Sequence, residues 1–211
     1  QTLIAAYSEG YFPMANPENG DLEWYNPDPR CILPLEGLRI SASLARRVRS
    51  GRFRVVTDSA FESVIRACGA GRGHPEDTWI DERFVRAYGD LHARGLAHSV
   101  EAWRDGRLVG GLYGVRLGGV FMGESMFSSP QRGGTDSSKV CLVWLVHHLK
   151  RIGVEILDVQ FSTDHLARLG AIEIPRRRYL ADLARCRHHR TRWQGWPEEL
   201  IVRATPGSGP S

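Results

Sequence analysis

The stretch GVEILDVQFSTDHLARLGA, residues 153–171, predicts a buried strand that runs into a short helix. Two polar residues, Asp158 and Gln160, interrupt the apolar part of the strand. Because side chains alternate across a strand, these two residues are expected to lie on the same face. A carboxylate beside an amide on such an apolar strand needs either structural partners or a functional role.

The segments before this strand predict how it enters a sheet. Residues 97–127 predict three antiparallel strands, with Asp105-Gly106 at one hairpin turn and Gly118-Gly119 at the second. SSKVCLVWLVHHLKRIG, residues 137–153, predicts a largely buried helix that ends at Gly153. A helical crossover predicts that the following strand lies parallel to a neighbour. Meander, crossover helix, strand, helix, strand is the order of the acetyltransferase-like (GNAT) fold, so the predicted class is α+β.

The rest of the chain predicts three regions. Residues 1–35 contain five prolines, which break long elements, and form a small N-terminal domain. Residues 36–192 form the GNAT-like domain, and residues 193–211 form a C-terminal tail that is expected to fray. Within the domain, Ser59 and Glu62 have the spacing of a capping box at a helix N-terminus.

Composition is that of an ordinary globular protein. The 211 residues are 42% hydrophobic and 25% charged, and no apolar run approaches the ~20 residues of a membrane span. The four cysteines are widely spaced without a CxxC motif, which favours a reducing compartment over a disulfide framework. The chain starts at Gln1, so residues before it are expected to be missing.

Basic residues are clustered. The net charge is +4 and the isoelectric point about 9.1, and the basic residues are nearly all arginine. Clusters lie at residues 46–54, 176–178 and 185–192. Either they are solvated surfaces, or they bind a nucleic acid. The candidate phosphate contacts are Arg46, Arg47, Lys139, Arg176 and Arg177. The histidines show no spacing typical of a metal site, so no metal is expected.

A second buried-strand carboxylate is Glu124, in GVFMGESMFS, residues 119–128. Alone, Glu124, Asp158 or Gln160 is more often structural, but three polar groups on two strands that could be neighbours favour a site. The loop before Lys139 could hold a phosphate at a helix N-terminus. Its sequence QRGGTDSSK lacks the glycine run of an acetyl-CoA site, which argues against an ordinary acetyltransferase.

Together these stretches resemble the bacterial leucyl/phenylalanyl-tRNA–protein transferases. The resemblance runs in family order from residue 7 to about residue 187. The matching pieces are YSEGYFP, WYNPDPR, TWI, AYGDLHARGLAHSVEAW, LVGGLYGV, FMGESMFS, SSK, LDVQFSTDHLARLGA and IPRRRYL.

The resemblance implies transfer of Leu, Phe or Met from an aminoacyl-tRNA to the N-terminal amine of proteins that begin with Arg or Lys. This reaction marks the protein for degradation. The implied enzyme is a cytoplasmic monomer that uses no metal, coenzyme A or other cofactor and has no membrane partner.

The resemblance also implies roles for particular residues. Asp158 and Gln160 match the catalytic pair, and Glu124 matches the active-site glutamate. Tyr7, Trp79 and Tyr88 match residues around the terminal adenosine of the tRNA, where Met14 stands in place of a frequent Trp. The aminoacyl side-chain pocket maps to Leu112, Phe121, Leu142, Leu149 and Leu157.

Two other functions remain open from the residues alone. The chain could be another acyl- or aminoacyltransferase that acts on a cell-wall peptide or a small amine. It could also be a non-catalytic RNA-binding module, as the basic clusters by themselves suggest. The sequence does not identify which of Glu124, Asp158 and Gln160 first accepts the proton of the amine.

Overall fold

The computed structural model describes residues 2–16, 19, 21–70, 80 and 82–196. The helices of this part are α1 Thr2–Ser8, α2 Ala42–Arg49, α3 Phe61–Gly69, α4 Glu82–Ala93, α5 Ser137–Arg151, α6 Asp164–Arg168 and α7 Arg176–Cys186. The strands are β1 Phe12–Ala15, β2 Leu22–Tyr25, β3 Arg30–Leu33, β4 Arg54–Thr57, β5 Ala97–Arg104, β6 Arg107–Leu117, β7 Val120–Ser128, β8 Ile156–Gln160 and β9 Ile172–Ile174.

Seven strands form one mixed sheet in the order β4-β5-β6-β7-β8-β3-β9. Strands β5, β6 and β7 are the predicted antiparallel meander, and the positive φ angles of Asp105 (51°) and Gly106 (72°) make its first turn. Helix α5 then crosses over to β8, which pairs with β7 in parallel. The predicted GNAT-like order is therefore confirmed.

The parallel pairing of β7 and β8 is short. It runs from Val120↔Ile156 to Met122↔Asp158 and stops there, although β7 continues to Ser128 and β8 to Gln160. The ends of both strands are thus free of each other's ladder hydrogen bonds. Glu124 and Gln160 lie on these two ends, which no longer pair with each other.

The N-terminal residues contain three strands that the sequence did not predict. β1 and β2 form a separate two-stranded antiparallel ribbon. β3 lies in the large sheet, antiparallel to both β8 and β9. The proposed N-terminal domain, residues 1–35, therefore places one strand inside the sheet of its neighbour.

Apolar side chains pack in two clusters, and alternation along β7 separates them. Val120 and Met122 belong to one cluster, which also contains side chains of α1, α3, α4 and α7. Phe121 belongs to the other, which is built mainly from α5 with α2. Because Val120 and Met122 point away from Phe121, the clusters cover opposite faces of the sheet.

One local prediction is wrong. Ala60, not Ser59, is the N-cap of α3, and no side chain caps this helix. Ser59 and the Ala60 amide donate instead to Glu101, because this fully buried carboxylate needs donors. At the start of the predicted tail the Trp193 ring stacks on His98 with centroids 4.0 Å apart, and residues 197–211, the rest of the tail predicted to fray, lie outside the described residues.

The four cysteines are free, and Cys31, Cys141 and Cys186 are buried. Within the residues described above, no helix has the length and apolar character needed to cross a membrane.

Candidate functional site

Glu124 is the centre of a cluster of polar side chains between β7, β8, α1 and α4. Its Oε1 accepts hydrogen bonds from the Tyr7 hydroxyl at 2.7 Å and from Gln160 Nε2 at 3.3 Å. Its Oε2 accepts from the Tyr88 hydroxyl at 2.9 Å, and the two tyrosine hydroxyls are 2.6 Å apart. The Gln160 bond crosses the place where the ladder between β7 and β8 has ended.

This environment changes the acidity of Glu124. Burial raises the pKa of the Glu124 carboxyl to about 7, although hydrogen bonds from Tyr7 and Tyr88 lower it. The negative charge of Asp158 raises the pKa further, and the positive charge of Arg30 opposes it. A carboxyl group with a pKa near neutrality can both accept and return a proton under cellular conditions.

Asp158 has a different environment from Glu124. Its Oδ1 accepts from Arg30 Nε at 2.8 Å, and its Oδ2 accepts from Arg30 Nη2 at 2.6 Å. The Tyr179 hydroxyl donates to Oδ2 at 2.7 Å, and both charged side chains are completely buried. Arg30 also lies over the Tyr179 ring, 4.4 Å from its centroid. This carboxylate is therefore occupied by its bidentate arginine partner.

Gln160 has a left-handed backbone with φ of 62°, which is uncommon for a residue other than glycine. Its N–H donates to Asp158 Oδ1 at 3.0 Å. A bulge in the β3–β8 pairing lies between Cys31, opposite Gln160, and Ile32, opposite Asp158. Simple strand alternation therefore does not describe this pair. Asp158 acts on the backbone of Gln160, which aims the amide at Glu124.

The structure brings the predicted side-chain pocket residues into one cluster. All five are buried on the α5 face of the sheet: Leu112, Phe121, Leu142, Leu149 and Leu157. Leu157 is adjacent in sequence to Asp158, and Phe121 is its partner across the β7–β8 ladder. An apolar surface thus lies directly behind the strand ends that carry the polar cluster.

The residues expected near an adenosine divide into three groups. Tyr7 and Tyr88 are in the polar cluster, on Glu124 itself. Met14 lies on β1 and packs against the core of the other sheet face. Trp79 lies outside the described residues.

The expected phosphate contacts lie on three helices. Arg46 and Arg47 are on α2, Lys139 is in the first turn of α5, and Arg176 and Arg177 begin α7. Two of them share a partner: Lys139 Nζ is 2.8 Å from Asp136 Oδ1, and Arg47 Nη2 is 3.4 Å from Asp136 Oδ2. These five residues are not one cluster.

Sequence reasoning missed Arg30, Tyr179 and Tyr113. Arg30 is a fully buried charge at the start of an unpredicted strand. Tyr179 directly follows a run of three arginines in the sequence. Tyr113 is fully buried, and its hydroxyl has no hydrogen-bond partner among the described residues. A single Arg directly before the apolar run CILPL was the one available signal that this arginine is buried.

One group of side chains has the composition of a metal site. Ligand atoms of Glu155, Cys186 and His189 lie within 4.8 Å of one another. Glu155 is already paired with Arg185 Nη1 at 2.6 Å and with His189 Nδ1 at 3.0 Å. Arginines at 185, 187 and 190 make the surroundings positive, which opposes cation binding. The partners present explain this group without an ion.

Comparison with known families matches nearly the whole described chain. Residues 32–184 match the family model "Leucyl/phenylalanyl-tRNA protein transferase", and residues 1–28 match the N-terminal domain of the same family. A protein from Rhizorhabdus wittichii is 53% identical over 180 residues, which is 85% of this chain and 71% of the relative. One from Herpetosiphon aurantiacus is 50% identical over 180 residues, 85% of this chain and 89% of the relative. Both are named leucyl/phenylalanyl-tRNA–protein transferase.

Solved structures similar to this chain include two acetyltransferases. A GCN5-related N-acetyltransferase from Kribbella flavida is 13% identical, with a TM-score of 0.43 over 70% of this chain and 55% of its own. A GNAT-family acetyltransferase from Colwellia psychrerythraea is 16% identical, with a TM-score of 0.43 over 69% of this chain and 52% of its own.

Proposed function

The chain belongs to the leucyl/phenylalanyl-tRNA–protein transferase family, and we propose that it moves Leu, Phe or Met from an aminoacyl-tRNA to the N-terminal amine of proteins that begin with Arg or Lys. The product carries a new peptide bond at its N-terminus, which marks it for degradation. The supporting observation within the site is Glu124, whose carboxyl has a pKa of about 7 and contacts Gln160.

The reaction needs a base but no activation step. The amine nitrogen attacks the ester carbonyl, a C–N bond forms, and the C–O bond to the terminal ribose breaks. Glu124 accepts the proton that the amine loses and returns it to the ribose oxygen that leaves. Because the ester is already activated and an α-amine has a pKa of roughly 7.7–8.0, a base poised near pH 7 is sufficient.

Gln160 and Asp158 have supporting roles in this proposal. The Gln160 amide is a donor at the end of β8 that no longer pairs with β7, where it can stabilise the oxyanion of the tetrahedral intermediate. Asp158 holds Gln160 in its left-handed conformation through the backbone bond and does not itself exchange the proton. Arg30 and Tyr179 keep that carboxylate in place.

The donor side chain enters the apolar surface behind the polar cluster. Leu112 and Phe121 from the sheet and Leu142 and Leu149 from α5 accept side chains that are unbranched at Cβ. One methylene changes binding in such a pocket by ~1–3 kcal/mol, so discrimination against Val and Ile is graded. The enzyme acts as a monomer in the cytoplasm, where its four free thiols stay reduced.

Incubation of the protein with labelled Phe-tRNA and a peptide that starts with Arg tests this function. We expect label in the peptide, faster transfer from Leu-tRNA than from Ile-tRNA, and no transfer to the same peptide acetylated at its N-terminus. Equal transfer to the acetylated peptide, or none to either, would contradict the proposed reaction. Binding of tRNA without transfer would favour an RNA-binding module instead.

A further inference from the structure

A basic pocket lies outside the polar cluster of the candidate site. It is a cavity of about 420 Å³ between α2, α5 and α6, and its basic side chains come from Arg39, Lys139, His165 and Arg168. The pocket also contains Asp136 and two serines at the start of α2, Ser41 and Ser43. A cavity of this size can receive a small anionic group together with part of its carrier.

The topology places this pocket at the reacting end of the sheet. β7 and β8 are parallel, so Ser128 and Gln160 end at the same edge. The chain passes from β7 through a short connection into the first turn of α5, which carries Lys139, and from β8 into α6, which carries Arg168. A ligand in the pocket is therefore at the end of the sheet toward which the strands carrying Glu124 and Gln160 run.

Charges in the pocket favour an anion. The negative charge of Asp136 is compensated by ion pairs with Lys139 and Arg47. These two cations lower the pKa of the Asp136 carboxyl. Arg39 and Arg168 are exposed, and neither guanidinium has a hydrogen bond or ion pair with the part of the chain that the structure describes. Two free guanidinium groups that face one cavity match the geometry of phosphate oxygens.

We propose that this basic pocket binds a backbone phosphate of the donor tRNA close to its charged 3′ end, with Arg39 and Arg168 as the direct contacts and the charge of Lys139 partly neutralised by Asp136. The proposal rests on the proposed function, since that function supplies the RNA. It adds a particular anchoring point that positions the ester relative to Glu124.

RNA binding tests the pocket without any need for turnover. The salt dependence of binding to labelled, uncharged tRNA would be measured for wild type, for Arg39→Met with Arg168→Met, and for Arg151→Met. Arg151 is the matched control, because it is an exposed arginine at the other end of α5, ~18 Å along the helix axis from Lys139. Each lost phosphate contact reduces the slope of log K against log salt by about 0.7–0.9. We expect the slope for the double arginine variant to be smaller than that for wild type by one or two times this amount. The slope for Arg151→Met should equal that for wild type.

The Asp136→Asn variant is a second test, because its expected effect on tRNA affinity is opposite to that of the double arginine variant. Removal of this negative charge makes the pocket more positive, so tRNA should bind more tightly than to wild type at low salt. A double arginine variant whose slope equals that of Arg151→Met, or an Asp136→Asn variant that binds more weakly while still folded, would overturn the proposal. Thermal unfolding of each variant establishes that it is folded.

Two further arms separate the possible sources of the signal. Inorganic phosphate at matched ionic strength should compete only weakly, and strong stabilisation by it without any effect of the arginines on tRNA binding would mean a free-anion pocket. Transfer from Phe-tRNA should show a KM raised about tenfold in the double variant, whereas transfer from 3′-O-phenylalanyl adenosine should be unchanged. If wild type transfers from neither donor, the proposed function fails, while the salt slope still decides the pocket.

Discussion

At the scale of single residues, the ionised Glu124 carboxylate lowers the stability of the folded protein, and it is also the proposed base of the reaction. Its pKa is about 7 in the folded protein and 4.5 in an unfolded chain, so stability decreases as pH rises from 4.5 to 7 and the penalty is complete above 7. Glu124→Gln removes the charge at all pH values. We expect the variant to be more stable than wild type by about 2–3 kcal/mol at pH 8 and by less than ~1 kcal/mol at pH 5. Chemical denaturation at both pH values measures this difference.

The same substitution should remove one limb of the pH–rate profile. Wild-type transfer should rise with pH through an apparent pKa of about 7, as the Glu124 carboxylate forms. In Glu124→Gln this limb should disappear, leaving only the ionisation of the acceptor amine, and the rate should fall by ~10²–10⁴-fold. A variant that keeps the limb near pH 7 would show that another group accepts the proton.

Substitution of Asp158 should lower the stability of the folded protein, whereas substitution of Glu124 should raise it. Asp158→Asn leaves the Arg30 guanidinium buried without its counter-ion, and breaking a buried pair in this way costs about 3–5 kcal/mol. We expect a lower unfolding free energy of that size at pH 7, together with loss of transfer. The double variant Arg30→Met with Asp158→Leu removes both charges and should be more stable than either single variant.

Transfer by that double variant separates two roles of the carboxylate. If Asp158 positions Gln160 through the backbone bond, the double variant should fold and yet transfer at least tenfold more slowly than wild type, with tRNA binding retained. Full activity in a well-folded double variant would make the buried pair purely architectural. Asp158 and Gln160 could be found from the sequence because they interrupt an apolar strand, whereas Arg30, the partner of Asp158, is 128 positions away from it and carries no periodic signal.

At the scale of elements, helix α5 contains a buried group that is outside the site. His148 is 2% exposed, neither of its ring nitrogens has a partner among the described residues, and Trp193 and Trp196 cover it at centroid distances of 4.5 and 5.0 Å. Burial, with a smaller contribution from Arg151, lowers the pKa of His148 to about 4. The folded protein is therefore more stable with this imidazole neutral than with it protonated.

His148→Phe should therefore reduce acid sensitivity. Because the folded pKa is below the unfolded value of 6.5, wild type loses stability as pH falls from 6.5 to 4, by about 2 kcal/mol at pH 5 from this residue. The phenylalanine variant keeps an aromatic ring under the two tryptophans but has nothing to protonate. Urea denaturation at pH 7 and pH 5 should show a smaller loss than in wild type, and an equal loss would mean that other groups control acid stability.

Elements with strong periodicity were predictable, whereas the short strands β1, β2 and β3 were not. Alternation and the Asp105-Gly106 turn give the meander, and a continuous apolar helix gives the crossover. Strands β1, β2 and β3 have only four residues each and lie among prolines, so no period-2 pattern can develop. They exist because partners elsewhere in the chain supply their hydrogen bonds, which local sequence does not reveal.

At the scale of the whole molecule, the two faces of the sheet carry different parts of the candidate site. The tyrosines that bind Glu124 belong to the cluster with α1, α3 and α4, whereas the residues of the proposed side-chain pocket belong to the cluster with α5. In the proposed reaction, groups from both faces meet at one ester where the β7–β8 pairing stops. The order of elements in the sequence predicts this parallel pair, but the length of its pairing depends on Gln160 and the bulge opposite it.

The position of β3 between β8 and β9 has a consequence for the newborn chain. The ribosome releases Arg30 long before its partner Asp158, and at roughly 5–20 residues per second the wait for 128 residues is about 6–26 s. During that time both edges of β3 lack their final neighbours, and Arg30, which is buried in the complete fold, has no counter-ion. The proposed reaction centre is thus among the last parts of the protein to close during synthesis, and a truncated nascent chain that ends before β8 has the three strands of the meander but lacks Asp158 and Gln160.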